Sequence, residues 1–405
     1  TAGHETIQFT GNSTFTGNFQ NSSVSIDTGV TVIADASIVS GKTVSGLGTL
    51  SVTNLDAVLS ASFTNVNPTT LNVDWSGTNT QTYLGNLTNV DTLTVTSGTM
   101  QVDANILNVA TTITNSSTIS ITNLEVVPSM NLTKITGGTV NADWSGDATF
   151  TGNLSSANLV VSSGTMTVST GIIAGSGTVS VSSGATISAD ASKLTGDTIG
   201  GAGTVTITNL QSTLAADFAN ITATTVNATW ASGTGTYTGN LTNVDSLSIS
   251  SGTMTVSDNI LGTLDTSGAG SITVLVDSSS SQDFANLSLS GTETIKFTGD
   301  STFTGNFQNS SVTIDTGVTV TTDASIVSGK TVSGTGILSV TNLDATLSAS
   351  FANVNPTTLN VDWSGTGTYT GNLTNVDLLT ISSGTMETDA SIVSGKTVSG
   401  TGILS

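Results

Sequence analysis

One short stretch recurs along this chain and limits what it can fold into. Phe15-Thr16-Gly17-Asn18-Phe19 reappears as Tyr83-Leu84-Gly85-Asn86-Leu87, as Phe150-Thr151-Gly152-Asn153-Leu154 and as Tyr237-Thr238-Gly239-Asn240-Leu241. Two more copies follow, Phe303-Thr304-Gly305-Asn306-Phe307 and Tyr369-Thr370-Gly371-Asn372-Leu373. The pattern is aromatic, any residue, Gly, Asn, bulky apolar. Successive copies start at almost equal intervals, except that the step from Phe150 to Tyr237 is longer. A near-constant period with one longer step marks a repeat array, whose modules are approximately 15–82, 83–149, 150–236, 237–302, 303–368 and a truncated 369–405.

Each module divides into stretches of roughly 22 residues, each with two or three alternating β-runs between Gly, Asn, Ser or Asp turns. Val24-Ser25-Ile26-Asp27, Val30-Thr31-Val32-Ile33 and Thr49-Leu50-Ser51-Val52 are such runs. No capped helical pattern is evident. Short strands at this spacing predict an all-β parallel β-helix, or β-solenoid, read here as one continuous solenoid over residues 1–405. It is expected to have about 18 coils of about 22 residues, three per module of about 66 and four in the long one. Glu5 onward matches Glu293 onward, a super-repeat of 288 residues, and the surplus of the long module falls around Ile172-Ile173-Ala174-Gly175-Ser176-Gly177.

Composition supports this reading. Hydrophobic residues make up 36% and charged residues only 8%, which a narrow bore lined by one residue in two would need. No run of 18 apolar residues predicts a membrane span, and no basic, apolar leader opens the sequence. The closing Gly402-Ile403-Leu404-Ser405 repeats Gly336-Ile337-Leu338-Ser339, which runs on into Val340. The sequence is therefore expected to be a piece of something longer, with itself as partner, end to end or as a continuing chain.

Residues that could carry chemistry are few. With no Cys, thiolate metal sites and disulfides are excluded. His4 is the one histidine, so Ser-His-Asp and multi-His sites are excluded within this sequence. Asp74, Asp143 and Asp362 recur before Trp, but Thr229 stands at the fourth such position, and no Arg is present to clamp anionic sugars. No catalysis is expected. No cofactor is expected either, beyond weak Ca2+ binding by the acidic surplus, and isolated acids such as Asp27, Asp35, Asp56 and Asp91 read as solvated turn residues. A net charge of −21 argues against nucleic acid.

Trp75, Trp144, Trp230 and Trp363 share one position in the module, which Phe9 and Phe297 also take. They are either core residues filling a corner or a row of exposed faces for surface glycans. In the recurring motif, the aromatic at 15, 83, 150, 237, 303 or 369 reads as core, the Gly as a tight corner, and the Asn as a ladder or turn cap. Thr-x-Thr triplets at Thr92-Leu93-Thr94 and Thr204-Val205-Thr206 raise the possibility of an ice-ordering face, but in sequence they lack one-per-coil regularity.

With its Ser/Thr/Gly/Asn/Val composition, and copies such as Ser40-Gly41-Lys42-Thr43-Val44-Ser45-Gly46, the chain resembles bacterial surface β-solenoid proteins. These are autotransporter passengers, filamentous-haemagglutinin-like exoproteins and giant repetitive adhesins. The resemblance implies an extracellular, cell-surface rod acting in adhesion, biofilm matrix or contact with neighbouring cells. The competing reading, from the unpaired strand edges a bare solenoid leaves at its ends, is a self-assembling filament, sheath or surface-layer subunit joined end to end.

Overall fold

The computed structural model describes residues 5–154, 157–173 and 177–405. His4 and the centre of the surplus stretch, Ala174 to Ser176, lie outside the described residues. The chain divides into two compact units, one of residues 1–206 with 220–225, the other of residues 207–219 with 226–405.

Each unit is a parallel β-solenoid. Strands alternate strictly between inward and outward residues, as in Thr70-Leu71-Asn72-Val73-Asp74-Trp75, where Leu71, Val73 and Trp75 are buried. That alternation follows from the two-residue period of a strand. The β-branched and Thr-rich runs suit a pleated surface with one face dry. Every strand pair in the units is parallel, and each strand sits on the equivalent strand one coil earlier. The length of the step varies from coil to coil: Thr6 pairs with Ser23 across a short corner, Ile113 with Ile135 across a longer one.

The module is not a whole number of coils. In the first unit Phe15 stacks on Ala34, Ala34 on Val52, and Val52 on Val73; the next motif aromatic, Tyr83, comes ten residues further on. Tyr83 stacks in turn on Val102, Ile121 and Ala142, with Phe150 eight residues beyond. The second unit repeats this through Tyr237, Val256, Val274 and Ile295, with Phe303 eight residues beyond. Each motif strand therefore opens a new sheet at a new position around the coil. The sheets beginning at Ser13–Phe15 and Thr80–Tyr83 each run for seven strands, so successive sheets overlap in stagger.

One expectation is corrected. Capped helices do occur, as single turns at Ala36–Val39, Ala104–Asn108, Ala191–Leu194, Asp258–Leu261, Ala324–Val327 and Ala390–Val393. Each starts directly after a strand on an Asp or Ser whose side chain accepts a hydrogen bond two residues on, as Asp35 does from Ser37 N. Four or five residues are too few to show helical periodicity, so only the cap residue could have announced them.

Candidate functional site

The repeated motif builds a corner whose parts are legible atom by atom. Tyr83 points inward, 0% exposed, and its Oη donates to the carbonyl of Ala61 one coil earlier at 2.6 Å. The same carbonyl accepts from Asn86 N at 2.9 Å. Tyr237 with Ala216, and Tyr369 with Ala349, repeat this bond at 2.6 Å. Burial pushes all three phenols well above the usual tyrosine range. The motif Gly is demanded by this close approach: a Cβ on Gly85 would lie 1.9 Å from the Ala61 oxygen, and one on Gly305 would lie 1.8 Å from that of Gln282. The motif Asn turns the chain, its Oδ1 accepting from the backbone two residues on at 2.7 Å for Asn18, 2.6 Å for Asn86, 2.9 Å for Asn240 and Asn306, and 2.7 Å for Asn372. Asn153 N bonds Met130 O at 3.0 Å, and a Cβ on Gly152 would lie 2.0 Å from that oxygen. Phe15, Phe150 and Phe303 lack the hydroxyl; Phe15 and Phe303 stack instead on Phe19 and Phe307, with centroids 4.5 and 4.3 Å apart.

The acids are braces between coils, which corrects their reading as isolated turn residues. Asp35 caps a helix through Oδ1, and its Oδ2 takes the amide of Asn54 from the next coil at 2.8 Å. Asp103 with Asn123, and Asp323 with Asn342, do the same at 2.7 and 2.8 Å. All three Asn residues are left-handed, with φ between 54° and 57°. A second brace holds the backbone just after the Trp. Ser76 N donates to Asp56 Oδ1, Ser145 N to Glu125 Oε2, Ala231 N to Gln211 Oε1 and Ser364 N to Asp344 Oδ1, over 2.9 to 3.2 Å. A third uses Asp91, Asp245 and Asp377, which accept from Leu71 N, Val226 N and Leu359 N at 2.8, 2.6 and 2.7 Å. Asp27 accepts from Gln8 Nε2 at 2.8 Å. In the second and third braces a carboxylate or side-chain amide oxygen supplies the acceptor that a backbone amide requires.

Lysines work in the opposite sense. Lys42 and Lys330 reach one coil back to the carbonyls of Gln20 and Gln308 at 2.7 and 2.5 Å. Lys134 bonds the carbonyls of Leu107, Asn108 and Ala110, and burial lowers its pKa. Asp197 stands where Lys42 and Lys330 stand in their modules. Among the described residues its Oδ2 has no partner, and burial lifts its carboxyl to about 6.

The four tryptophans are each 0% exposed. Trp144 and Trp363 donate Nε1 to the carbonyls of Gly146 and Gly365 at 2.6 and 2.8 Å. The exposed aromatic row that glycan stacking requires is therefore corrected to a buried corner. Phe297 occupies that position too, fully buried and paired with Ile314 as Trp363 is with Ile381. Asp74, Asp143 and Asp362 lie on the outward face of their strands, opposite Thr94, Val160 and Thr380. Asp74 is raised from the ordinary carboxylate range by burial, with the charge of Asp56 adding to it. Among the described residues no group of three His, Asp or Glu side chains could hold a metal ion, and no helix is long and apolar enough to cross a membrane.

The outer faces carry a regularity that the sequence hides. Thr80, Thr99, Thr118 and Thr139 form one column, and Thr236, Thr255, Thr273, Thr294 and Ser311 another. The sequence intervals vary because corner lengths vary, while the ladder brings the hydroxyls into register. The expectation of no one-per-coil threonine regularity is corrected accordingly.

Comparison with known proteins yields no matching family model, no curated relative and no similar solved structure.

Proposed function

We propose that the chain is a secreted or cell-surface structural protein: a stiff spacer, such as the stalk of a repetitive adhesin or an extracellular matrix filament. The observation that carries this reading is the recurrence of one bracing geometry. The motif carbonyl bond, the Asp–Asn brace and the brace after the Trp are what has been copied from module to module. Repetition of a brace serves stiffness, whereas a catalytic or receptor site would need one copy that differs. Outward Ser, Thr and acids give a hydrated, strongly negative exterior that discourages lateral sticking. The six lysines offer trypsin few sites, and several of them are tied to carbonyls of the preceding coil.

Negative-stain electron microscopy of the purified chain across a concentration series tests the proposal. Particles of one size at every concentration, persisting under trypsin, are the expected outcome. Uniform filaments growing with concentration would replace it by a self-assembling sheath or surface-layer subunit. Rapid digestion throughout would remove the stiff-spacer reading altogether.

A further inference from the structure

The strands Thr234–Tyr237, Thr253–Ser257, Ser271–Val276, Glu293–Phe297 and Ser311–Ile314 lie in register within the second unit. Their outward residues form two adjacent hydroxyl columns. One is Thr236, Thr255, Thr273, Thr294 and Ser311; beside it, two residues earlier, Thr234, Thr253 and Ser271 form the other. Spacing is about 4.8 Å between coils and roughly 6.6 Å along each strand. The charged side chains on these five rungs are Glu293 and Lys296, and both are engaged: Glu293 accepts from Leu289 N at 2.7 Å, and Lys296 pairs with Asp315 at 3.1 Å.

Corner hydroxyls elsewhere in the chain bond the coil before them, as Ser97 does to the carbonyl of Ser76 at 2.7 Å. The hydroxyls of Thr236, Thr255, Thr273 and Thr294 have no protein partner among the described residues, unlike Thr380 and Ser399, whose hydroxyls bond each other on neighbouring rungs at 3.4 Å. Threonine is stiff at its first side-chain torsion, and its place on a sheet fixes where the oxygen points. The strip therefore presents hydroxyls at regular intervals along the column of Thr236, Thr255, Thr273 and Thr294, with Thr234 and Thr253 beside it; Ser271 Oγ accepts from Thr292 N at 3.0 Å. The corresponding face of the first unit is different: Gln101, Asn141 and Asn158 interrupt the hydroxyls, and these side chains bond one another, Thr82 to Gln101 at 3.1 Å and Asn158 to Asn141 at 2.9 Å.

We infer that the strip centred on Thr255 and Thr273 binds the surface of ice. A registered array of short hydroxyls, with the aromatics of these strands, Tyr237 and Phe297, turned inward, suits a ligand that is itself an ordered array of donors and acceptors. The neutral strip on a chain of net charge −21 also fits an uncharged lattice, since ionic hydration shells would oppose it. This inference is independent of the spacer reading.

The test is ice-affinity partition of the full chain, with inhibition of ice recrystallisation as a second readout. The chain should enter slowly grown ice, and Thr255→Lys with Thr273→Lys should reduce its incorporation by at least about tenfold. Gln101→Lys with Ser120→Lys, at the corresponding sites of the first unit, should leave incorporation unchanged. Far-UV circular dichroism and thermal unfolding check each fold. Thr255→Val with Thr273→Val, which keeps shape but removes the hydroxyls, should also lose incorporation. Exclusion of the chain from ice would overturn the inference. So would equal incorporation of the lysine or valine pair, or binding to crystalline cellulose in place of ice.

Discussion

At the scale of single residues, the motif Gly and aromatic are two halves of one contact. The Ala61 carbonyl receives both Tyr83 Oη and Asn86 N because no side chain on Gly85 stands in the way. A Cβ there would meet first the Ala61 carbonyl oxygen of the adjacent coil, which cannot yield without breaking the ladder, and then the Tyr83 phenol bonded to that oxygen. Gly85→Ala should therefore cost about 2–4 kcal/mol, the range of core overpacking and more. Gly11→Ala, where a Cβ would meet nothing within 4 Å, should stay within about 0.5 kcal/mol of the parent. Denaturant midpoints of the two variants check this, and equal midpoints would refute the close-approach reading. The sequence flagged this Gly by its recurrence, but suggested a turn residue. The actual reason, an oxygen of another coil, belongs to the tertiary structure.

At the scale of elements, the 3-10 turn at Leu55–Ala57 and its counterparts Leu124–Val126 and Leu343–Ala345 matter through one acceptor each. Asp56, Glu125 and Asp344 hold the amide after the Trp strand, and Gln211 does so without charge. A neutral acceptor therefore suffices. Asp344→Asn should cost little, whereas Asp344→Ala leaves Ser364 N without its acceptor and should cost about 1–2 kcal/mol. Urea unfolding of both variants decides the point, and equal losses would mean that charge, not acceptance, is what the brace supplies. In sequence these residues are scattered acids, each a full coil away from the amide it holds, which is why the chain order reads them as solvated.

At the scale of the whole molecule, pH reports several of these groups together. The Asp35 carboxyl is held below its usual value by bonds from Ser37 and Asn54. For Asp323, burial acts upward, but the bonds from Ser325 and Asn342 outweigh it, so it too is lowered. Groups with lowered folded values contribute stability that is present above their unfolded pKa and is lost as pH falls through the folded one. Asp197 has the opposite sign. Its folded value of about 6 exceeds the ordinary 3.8, so its contribution is fully present below pH 3.8 and is lost as pH rises to about 6. Relief of the −21 charge acts in the same direction as Asp197. The buried tyrosines add a loss above about pH 10, of about 1.4 kcal/mol per pH unit for each phenol that must stay neutral in the fold. Thermal unfolding should accordingly be later near pH 4.5 than at pH 7.5. Asp197→Asn should narrow that gap by about 1–2 kcal/mol, allowing for partial solvent access. A gap unchanged by this variant would remove Asp197 from the account.

The sequence by itself determined the fold class, because a strand has period two and a copied module must stack on its copies. The recurring aromatic, Gly and Asn, the inward Val, Leu and Ile, and the position shared by Trp363 and Phe297 were legible as pattern, while the burial of that position was decided by the structure. What only the tertiary structure decided is register. Corners of unequal length make one step longer than another, and the modules opening at Phe15, Tyr83 and Tyr237 overshoot their three steps before the next motif begins. Linear spacing therefore conceals which residues are neighbours. The pairing of Asp35 with Asn54, of Asp56 with the amide of Ser76, and the alignment of Thr236, Thr255, Thr273 and Thr294 exist only once backbone ladders fix one coil over the next.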